Sequence, residues 1–219
     1  MIPVISVVGR SNVGKTTFLE KVLKELKNRG YRVAVVKHDS HGFDIDHPGK
    51  DSWRLAQAGS DVVVVSSADK MAMVKRPARE MTLDQLADMV MDGVDIIITE
   101  GYKGADKPKI EVFRSDVSDK ILCSEKELLA LVTDKHIDMD VPQFNFDDAN
   151  GIVDLIIERF LSQPAEEEIY LSVNGNHIGF KSFVKDAFIK TISGMVSTLH
   201  GTENTREIKL TIRLPGCGK

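Results

Sequence analysis

The sequence predicts an α/β fold with a doubly wound, mostly parallel sheet, followed by a small α+β module of β-β-α-β order. Two patterns support this prediction. Short aliphatic runs alternate with helical patterns through residues 1–162, whereas residues 169–219 contain a hairpin signal, one helical pattern and one alternating segment. The stretch between them, residues 163–168, holds a proline and three glutamates and is typical of a linker. We therefore expect two domains, residues 1–162 and residues 169–219.

The strands of the sheet are predicted by aliphatic runs that are nearly continuous in valine and isoleucine. The runs lie at residues 4–8, 33–36, 62–65, 96–98 and 128–132. Runs without polar alternation are expected of parallel strands that are buried on both faces. A further run, residues 110–113, is predicted to be an extra strand at the edge of the sheet.

Helices are predicted between these runs. Residues 16–29 place five apolar side chains, from Phe18 to Leu26, on one helical face and end at Gly30, a residue typical of helix C-caps. The same period recurs at residues 83–91 and 152–160. Strands that alternate with helices indicate a doubly wound sheet.

The C-terminal module is predicted from three segments. Asn174-Gly175-Asn176 joins two short apolar segments and is a strong hairpin signal. A helical pattern follows at residues 182–200, and residues 207–214 alternate apolar and polar side chains as a half-buried strand does.

Charge and composition exclude several classes of protein. The chain carries 29 basic and 33 acidic residues, and this mildly acidic balance argues against general nucleic-acid binding. Two distant cysteines, Cys123 and Cys217, argue against a disulfide framework or a cysteine-rich zinc site. No secretory signal opens the sequence, and no apolar run approaches the roughly 20 residues that span a bilayer. We expect a cytoplasmic protein without membrane association.

A glycine-rich segment follows the first predicted strand and opens the first predicted helix. Residues 9–16, Gly-Arg-Ser-Asn-Val-Gly-Lys-Thr, fit the pattern GxxxxGK[ST] of the phosphate loop (P-loop). In such a loop the backbone N–H groups surround phosphate oxygens, and the helix N-terminus adds its positive end. We expect Lys15 to reach the β- and γ-phosphates and the Thr16 hydroxyl to hold Mg²⁺. The sequence thus predicts a P-loop nucleotide-binding domain.

Two acids are candidates for the metal side of this site. Glu100 falls at the C-terminal end of the strand predicted at residues 96–98, where ligands bind in open α/β sheets. Asp39 comes just after the second predicted strand, and capping a turn is an equally good interpretation of this residue.

Three histidines, His38, His41 and His47, fall within ten residues of one another. They are compatible with a zinc or nickel site, although no cysteine lies nearby and the predicted segment is a loop. Contact with phosphate or another anion is favoured, because the loop leaves the same sheet edge as the P-loop. Asp51 or Ser52 is expected to cap the next helix.

Five motifs occur in order along the chain. They are residues 9–17, Lys37-His38-x-x-His41, Asp46-x-Pro48-Gly49-Lys50-Asp51-Ser52, Glu100-Gly101-Tyr102-Lys103 and residues 109–114. Together they resemble the MobB family of molybdopterin-guanine dinucleotide biosynthesis proteins. The resemblance covers about residues 1–160. It implies a GTP-binding adapter with weak GTPase activity in molybdenum-cofactor maturation. It also implies a homodimer and a MobA-type guanylyltransferase partner that attaches GMP to molybdopterin, with molybdopterin as a shared ligand.

The resemblance assigns residues position by position. The phosphates would be bound by Gly9, Ser11, Asn12, Val13, Gly14, Lys15, Thr16 and Thr17. Mg²⁺ would be held by Thr16, Glu100 and Asp39, and catalysis would rest on Lys15, Glu100 and Asp39. His38, His41, Lys50, Asp51, Lys103 and Arg114 match polar positions of the family that would face the bound ligands. Asp134, in Thr133-Asp134-Lys135, is a candidate for guanine N1 and N2, although the Asn-Lys-x-Asp pattern is missing.

Other interpretations stay open. One is a nickel or zinc metallochaperone-type GTPase that uses His38, His41 and His47. Another is a small-molecule kinase. Such enzymes close a basic lid over the phosphates, and the candidate for this lid, residues 75–79, is short. Residues 169–219 hold seven basic and three acidic residues, so this module is expected either to grip an anionic partner or to cap a dimer face.

Overall fold

The computed structural model describes residues 2–39, 42–162, 169, 171–174, 176–205, 208–212 and 214. The chain divides into two compact units, one of residues 2–163 and one that includes residues 164–219. In the described part of the chain, no helix has both the length and the apolar character needed to span a bilayer.

The N-terminal unit is built around one parallel sheet. The strands of this unit, not all of which belong to that sheet, are β1 (Val4–Val8), β2 (Val33–Lys37), β3 (Val62–Ser66), β4 (Met71–Lys75), β5 (Ile96–Glu100), β6 (Lys109–Phe113), β7 (Leu128–Thr133) and β8 (Gln143–Phe144). Its α-helices are α1 (Lys15–Asn28), α2 (Asp51–Gln57), α3 (Leu83–Val90) and α4 (Ala149–Ile156). Six strands pair in the order β2-β5-β1-β6-β7-β8, and every pair is parallel. This arrangement confirms the predicted α/β class.

Helices cover both faces of this sheet. On one face, the apolar stripe of α1, including Phe18 and Leu26, packs with Ile152 and Ile156 of α4. On the other face, Leu83 and Ala87 of α3 pack against Val4 and Ile97. Neighbouring residues of a strand thus enter different cores, as the alternation of side chains along a strand requires. The chain continues past α4 as a π-helical turn, Ile157–Leu161.

The strand predicted at residues 62–65 is not part of the parallel sheet. β3 pairs antiparallel with β4 in a separate two-stranded sheet, and Val64 and Val65 are about half exposed. The intervening turn is closed by a hydrogen bond from the Ser67 N–H to the Lys70 carbonyl. A continuous valine run was therefore a misleading signal, because it fits a hairpin strand as well as a buried parallel one.

The predicted edge strand at residues 110–113 lies inside the sheet. β6 sits between β1 and β7. Its charged residues are buried but satisfied: Lys109 donates to Glu127 at 3.0 Å, and Glu111 accepts from the backbone N–H groups of Leu122 and Cys123. Charges can occupy an inner strand when such partners are present.

The C-terminal unit contains a hairpin of β9 (Ser172–Val173) and β10 (Asn176–His177), followed by α5 (Ser182–Val196). The predicted hairpin and helix are both found. The last predicted strand is corrected: its described residues, 208–212 and 214, lie in no strand. Leu210 and Ile212 are largely exposed, so the alternating pattern does not bury its apolar face there.

Candidate functional site

The P-loop lies between β1 and α1, at the carboxyl edge of the sheet. Three of its residues have positive φ angles: Gly9 (146°), Asn12 (64°) and Gly14 (93°). A Cβ on Gly9 would stand 2.3 Å from the Val112 carbonyl oxygen, so β6 leaves no room for a side chain there. The backbone can curl in this way because glycine stands at positions 9 and 14, where the positive φ would strain a residue with a side chain.

The side chain of Lys15 is folded back over the loop. Its Nζ donates to the carbonyl oxygens of Gly9 at 3.0 Å and Arg10 at 2.7 Å. Burial lowers the pKa of this ammonium; nearby Glu100 acts in the opposite direction, and Lys37 adds to the lowering. The lysine is therefore held at the centre of the loop with its charge partly desolvated.

Glu100 brings the ends of three elements together. By strand register it lies beside Val7 of β1 and Lys37 of β2. The Thr16 hydroxyl is 3.0 Å from each carboxylate oxygen, and Lys37 Nζ is 3.2 Å from Oε1. A hydroxyl and a carboxylate are the oxygen ligands that Mg²⁺ prefers, so the donors present fit this ion. The structure brings two of the three predicted metal ligands, Thr16 and Glu100, into contact.

Arg114 approaches the P-loop from the end of β6. Its Nε donates to the Val13 carbonyl at 3.4 Å, and its Cζ lies 4.1 Å from the centre of the Phe146 ring. Phe146 follows β8 and is tied to α1, because Lys21 donates to its carbonyl at 3.0 Å. A guanidinium on an aromatic face is a favourable cation–π contact. No sequence motif points to Phe146, since its role depends on its position after the short strand β8.

His38 contacts a carboxylate. Its Nε2 lies 3.0 Å from Glu80 Oε1, and its ring centre is 4.9 Å from that of Tyr102. Burial and the charge of Glu80 raise the pKa of Tyr102. The backbone is close as well, since a Cβ on Gly101 would lie 3.3 Å from the His38 Cβ. Glu80 was not found from the sequence, because nothing in the motif links it to His38.

Several other predicted site residues lie on exposed segments. Asp39 is exposed two positions beyond β2, and Lys103 is exposed beyond β5. Lys50, also exposed, is the N-cap residue of α2, which corrects the expectation that Asp51 or Ser52 caps this helix. Asp51 is the first residue of the helix, and its Oδ1 is 3.7 Å from Arg54 Nη1.

The histidine cluster receives no support as a metal site. His41 lies outside the described residues, and the backbone N–H of exposed His47 donates to the Asp46 carboxylate. Within the ranges that the structure describes, no three His, Cys, Asp or Glu side chains are grouped to hold a metal ion.

Asp134 holds the loop that follows β6. Its carboxylate accepts from the Ser115 N–H at 3.0 Å and from the Ser115 hydroxyl at 3.0 Å. Burial favours the protonated acid, but the Ser115 hydrogen bonds, together with the Asp134 backbone and the Arg114 charge, outweigh it and lower the pKa of Asp134. The contact with guanine stays a prediction.

Comparison with known proteins decides the family. The sequence profile of MobB, described as molybdopterin guanine dinucleotide synthesis protein B, matches residues 4–134. This chain belongs to the MobB family. The resemblance found in the sequence motifs is thereby confirmed. The chain is 33% identical over 163 residues to the molybdopterin-guanine dinucleotide biosynthesis adapter protein of Escherichia coli (strain K12), a match covering 72% of this chain and 93% of that protein.

Two further relatives bear on the two units. The crystal structure of Bacillus subtilis MobB has a TM-score of 0.61 and 28% identity, and the match covers 74% of this chain and 99% of that one. A putative molybdopterin-guanine dinucleotide biosynthesis adapter protein of Methanocaldococcus jannaschii is 27% identical over 235 residues. That alignment covers 95% of this chain and 97% of the relative, so it extends into the C-terminal unit of this MobB-family protein.

Proposed function

We propose that this MobB-family chain is a GTP-binding adapter with weak GTPase activity that assists the attachment of GMP to molybdopterin. The observation that carries the proposal is the P-loop with Lys15 at its centre and Thr16 against Glu100. The adapter role is supported by the names of its relatives in Escherichia coli (strain K12) and Bacillus subtilis (strain 168). The nucleotidyl transfer would belong to a MobA-type guanylyltransferase.

The residues of the site have separate tasks in this proposal. The backbone of the P-loop would bind the phosphates, with Lys15 exchanging its loop carbonyls for phosphate oxygens. Thr16 and Glu100 would hold Mg²⁺, which supplies charge neutralisation when it is bound. Arg114 lies beside the loop and would add a second positive charge, held in place by Phe146.

A homodimer is the second part of the proposal. Val62, Val64, Met71 and Met73 are exposed, and the register of β3 with β4 places them on one face of the hairpin. An isolated two-stranded hairpin is marginally stable in water, so a partner surface is expected over this face. A second copy of the chain would cover one hairpin with the other.

Nucleotide binding is the first test. A fluorescent GTP analogue is titrated into the wild-type protein and into the Lys15→Ala variant, with Lys24→Ala, an exposed lysine of the same helix, as the matched control. We expect Lys15→Ala alone to lose at least about tenfold in affinity, because a charged hydrogen-bond partner of the phosphates is removed. Unchanged binding in Lys15→Ala would refute the site.

The adapter role needs its own test. The chain is mixed with a MobA-type guanylyltransferase, GTP and molybdopterin, and dinucleotide formation is measured with and without it. An increase with the wild-type chain that is reduced with Lys15→Ala supports the proposal. The same yield with and without the chain contradicts it.

A further inference from the structure

Lys37 occupies a position that the proposed site does not yet use. It is the last residue of β2 and lies beside Glu100 in the strand register. Its Nζ is 3.2 Å from Glu100 Oε1; the Lys37 side chain is 57% exposed, whereas that of Glu100 is only 12% exposed. An accessible cation therefore neutralises a carboxylate that is almost buried.

The other lysine of the site has different partners. Lys15 Nζ is bound to the carbonyl oxygens of Gly9 and Arg10, and it influences Glu100 only through its charge. The Thr16 hydroxyl contacts the Glu100 carboxylate but carries no charge. The ion pair of Glu100 is thus made with Lys37, on the same carboxylate that would hold the metal ion.

We propose that Lys37 is the counter-cation of Glu100 in the nucleotide-free protein, and that it makes divalent-cation binding depend on the nucleotide. This inference rests on the proposed function. A divalent cation at Glu100 would meet the Lys37 ammonium at close range, and like charges at that distance repel one another. Phosphates in the loop supply negative charge that compensates both cations. Metal and nucleotide then favour each other's binding, and this coupling is reciprocal.

Lys37 acts in this scheme through Glu100 and is a positioning residue. Its role depends on charge: removing the ammonium leaves Glu100 without an ion-pair partner, in contact with the Thr16 hydroxyl and influenced by Lys15 only through its charge. Such a carboxylate, nearly buried and less fully compensated, attracts a cation more strongly. Lys37→Met keeps the length of the apolar stem and removes only the charge, whereas Lys37→Arg keeps the charge.

The experiment uses Mn²⁺ as the probe, because free Mn²⁺ is read directly from its electron paramagnetic resonance signal. The full chain is titrated without nucleotide as wild type, Lys37→Met and Lys37→Arg. Lys107→Met is the matched control, because Lys107 is also ion-paired, with Asp84 at 2.8 Å. We expect Lys37→Met to bind Mn²⁺ at least about fivefold more tightly than wild type, the lower end of usual coupling. Lys37→Arg and Lys107→Met should resemble wild type.

The titration is then repeated with saturating GDP, where the gap between wild type and Lys37→Met should shrink. Equal Mn²⁺ affinity of the two proteins without nucleotide would overturn the inference, as would a Lys37→Arg variant that behaves like Lys37→Met. Failure of the proposed function is seen separately: GDP or GTP would then not bind, or would bind Lys15→Ala unchanged. The nucleotide-free Mn²⁺ titrations remain interpretable in that case.

Discussion

Gly9 is the residue at which the sheet and the P-loop approach most closely. Its φ of 146° and the 2.3 Å that would separate a Cβ from the Val112 carbonyl both exclude a side chain. We expect Gly9→Ala to destabilise the fold by about 1–3 kcal/mol, as overpacking does, and to weaken nucleotide binding by displacing the loop. Urea denaturation and nucleotide titration measure the two effects.

The matched control for this change is Gly104→Ala. A Cβ added to Gly104 would meet no heavy atom within 4 Å beyond its chain neighbours, and the φ of this glycine is not positive. The control variant should keep wild-type stability and binding. Equal losses in both variants would show that the approach of β6 to the loop is not the cause.

The ionisation of the Glu127 carboxyl is expected to make the stability of the fold depend on pH. Hydrogen bonds from the Ser124 backbone and hydroxyl, followed by the Lys109 ammonium, lower the pKa of this carboxyl from 4.5 to about 2. Because the pKa is lower in the folded state, folding favours the ionised form. The contribution is complete above pH 4.5 and is lost as the pH falls toward 2.

The measurement is the free energy of unfolding from urea titrations between about pH 5 and 3. Wild type should lose stability across this window more steeply than Glu127→Gln. Glu158→Gln, which changes an exposed glutamate, should follow wild type. A Glu127→Gln curve parallel to wild type would mean that Glu127 does not carry the effect.

The sequence predicts those site residues that belong to a local motif or stand at the end of a predicted strand. The P-loop spacing and the position of Glu100 at a strand end were enough to expect Thr16 and Glu100 in one place. The contact of Lys37 with Glu100 requires the register between β2 and β5, and the contact of Phe146 with Arg114 requires the position of β8. Neither is encoded in a short motif.

At the scale of elements, the hairpin β3–β4 makes the sharpest prediction. Val64 is 53% exposed in the centre of its apolar face. We expect Val64→Asp to shift the chain from dimer toward monomer, because a buried unpaired carboxylate opposes association. Sedimentation velocity measures the shift.

Val117→Asp is the control for the hairpin variant, since Val117 is also exposed, at 40%, but lies in a loop of the N-terminal unit. It should leave the sedimentation coefficient unchanged. A Val64→Asp protein that sediments like wild type would remove the hairpin as the dimer contact.

The elements also show where pattern alone fails. Runs such as 96–98 and 128–132 were placed correctly, because continuous apolar strands that alternate with helices must share a buried sheet. The run at 62–65 is also rich in valine, but no predicted helix lies between it and its partner strand Met71–Lys75. The two strands therefore pair directly as a hairpin. The inner position of β6 depends on distant partners for Lys109 and Glu111, which a local window does not contain.

At the scale of the whole molecule, we expect nucleotide binding to be a task of the N-terminal unit alone. The site contacts given above join described residues between Gly9 and Phe146, which belong to the N-terminal unit. In addition, 74% of this chain accounts for 99% of Bacillus subtilis MobB. We therefore expect residues 1–162, produced alone, to fold and to bind a fluorescent GTP analogue within about twofold of the full chain. A larger loss of affinity would show that the C-terminal unit contributes to nucleotide binding.

The basic charge of residues 169–219 gives the last prediction. If this unit grips an anionic partner surface, the full chain should bind the MobA-type enzyme more tightly than residues 1–162 do, and the difference should shrink as salt screens the charges. Isothermal titration at low and high ionic strength measures both. Neutralising Lys181, Lys185 and Lys190 on and beside α5 should remove most of the difference. A salt-independent difference would favour an apolar cap, and no difference would exclude the unit from partner binding.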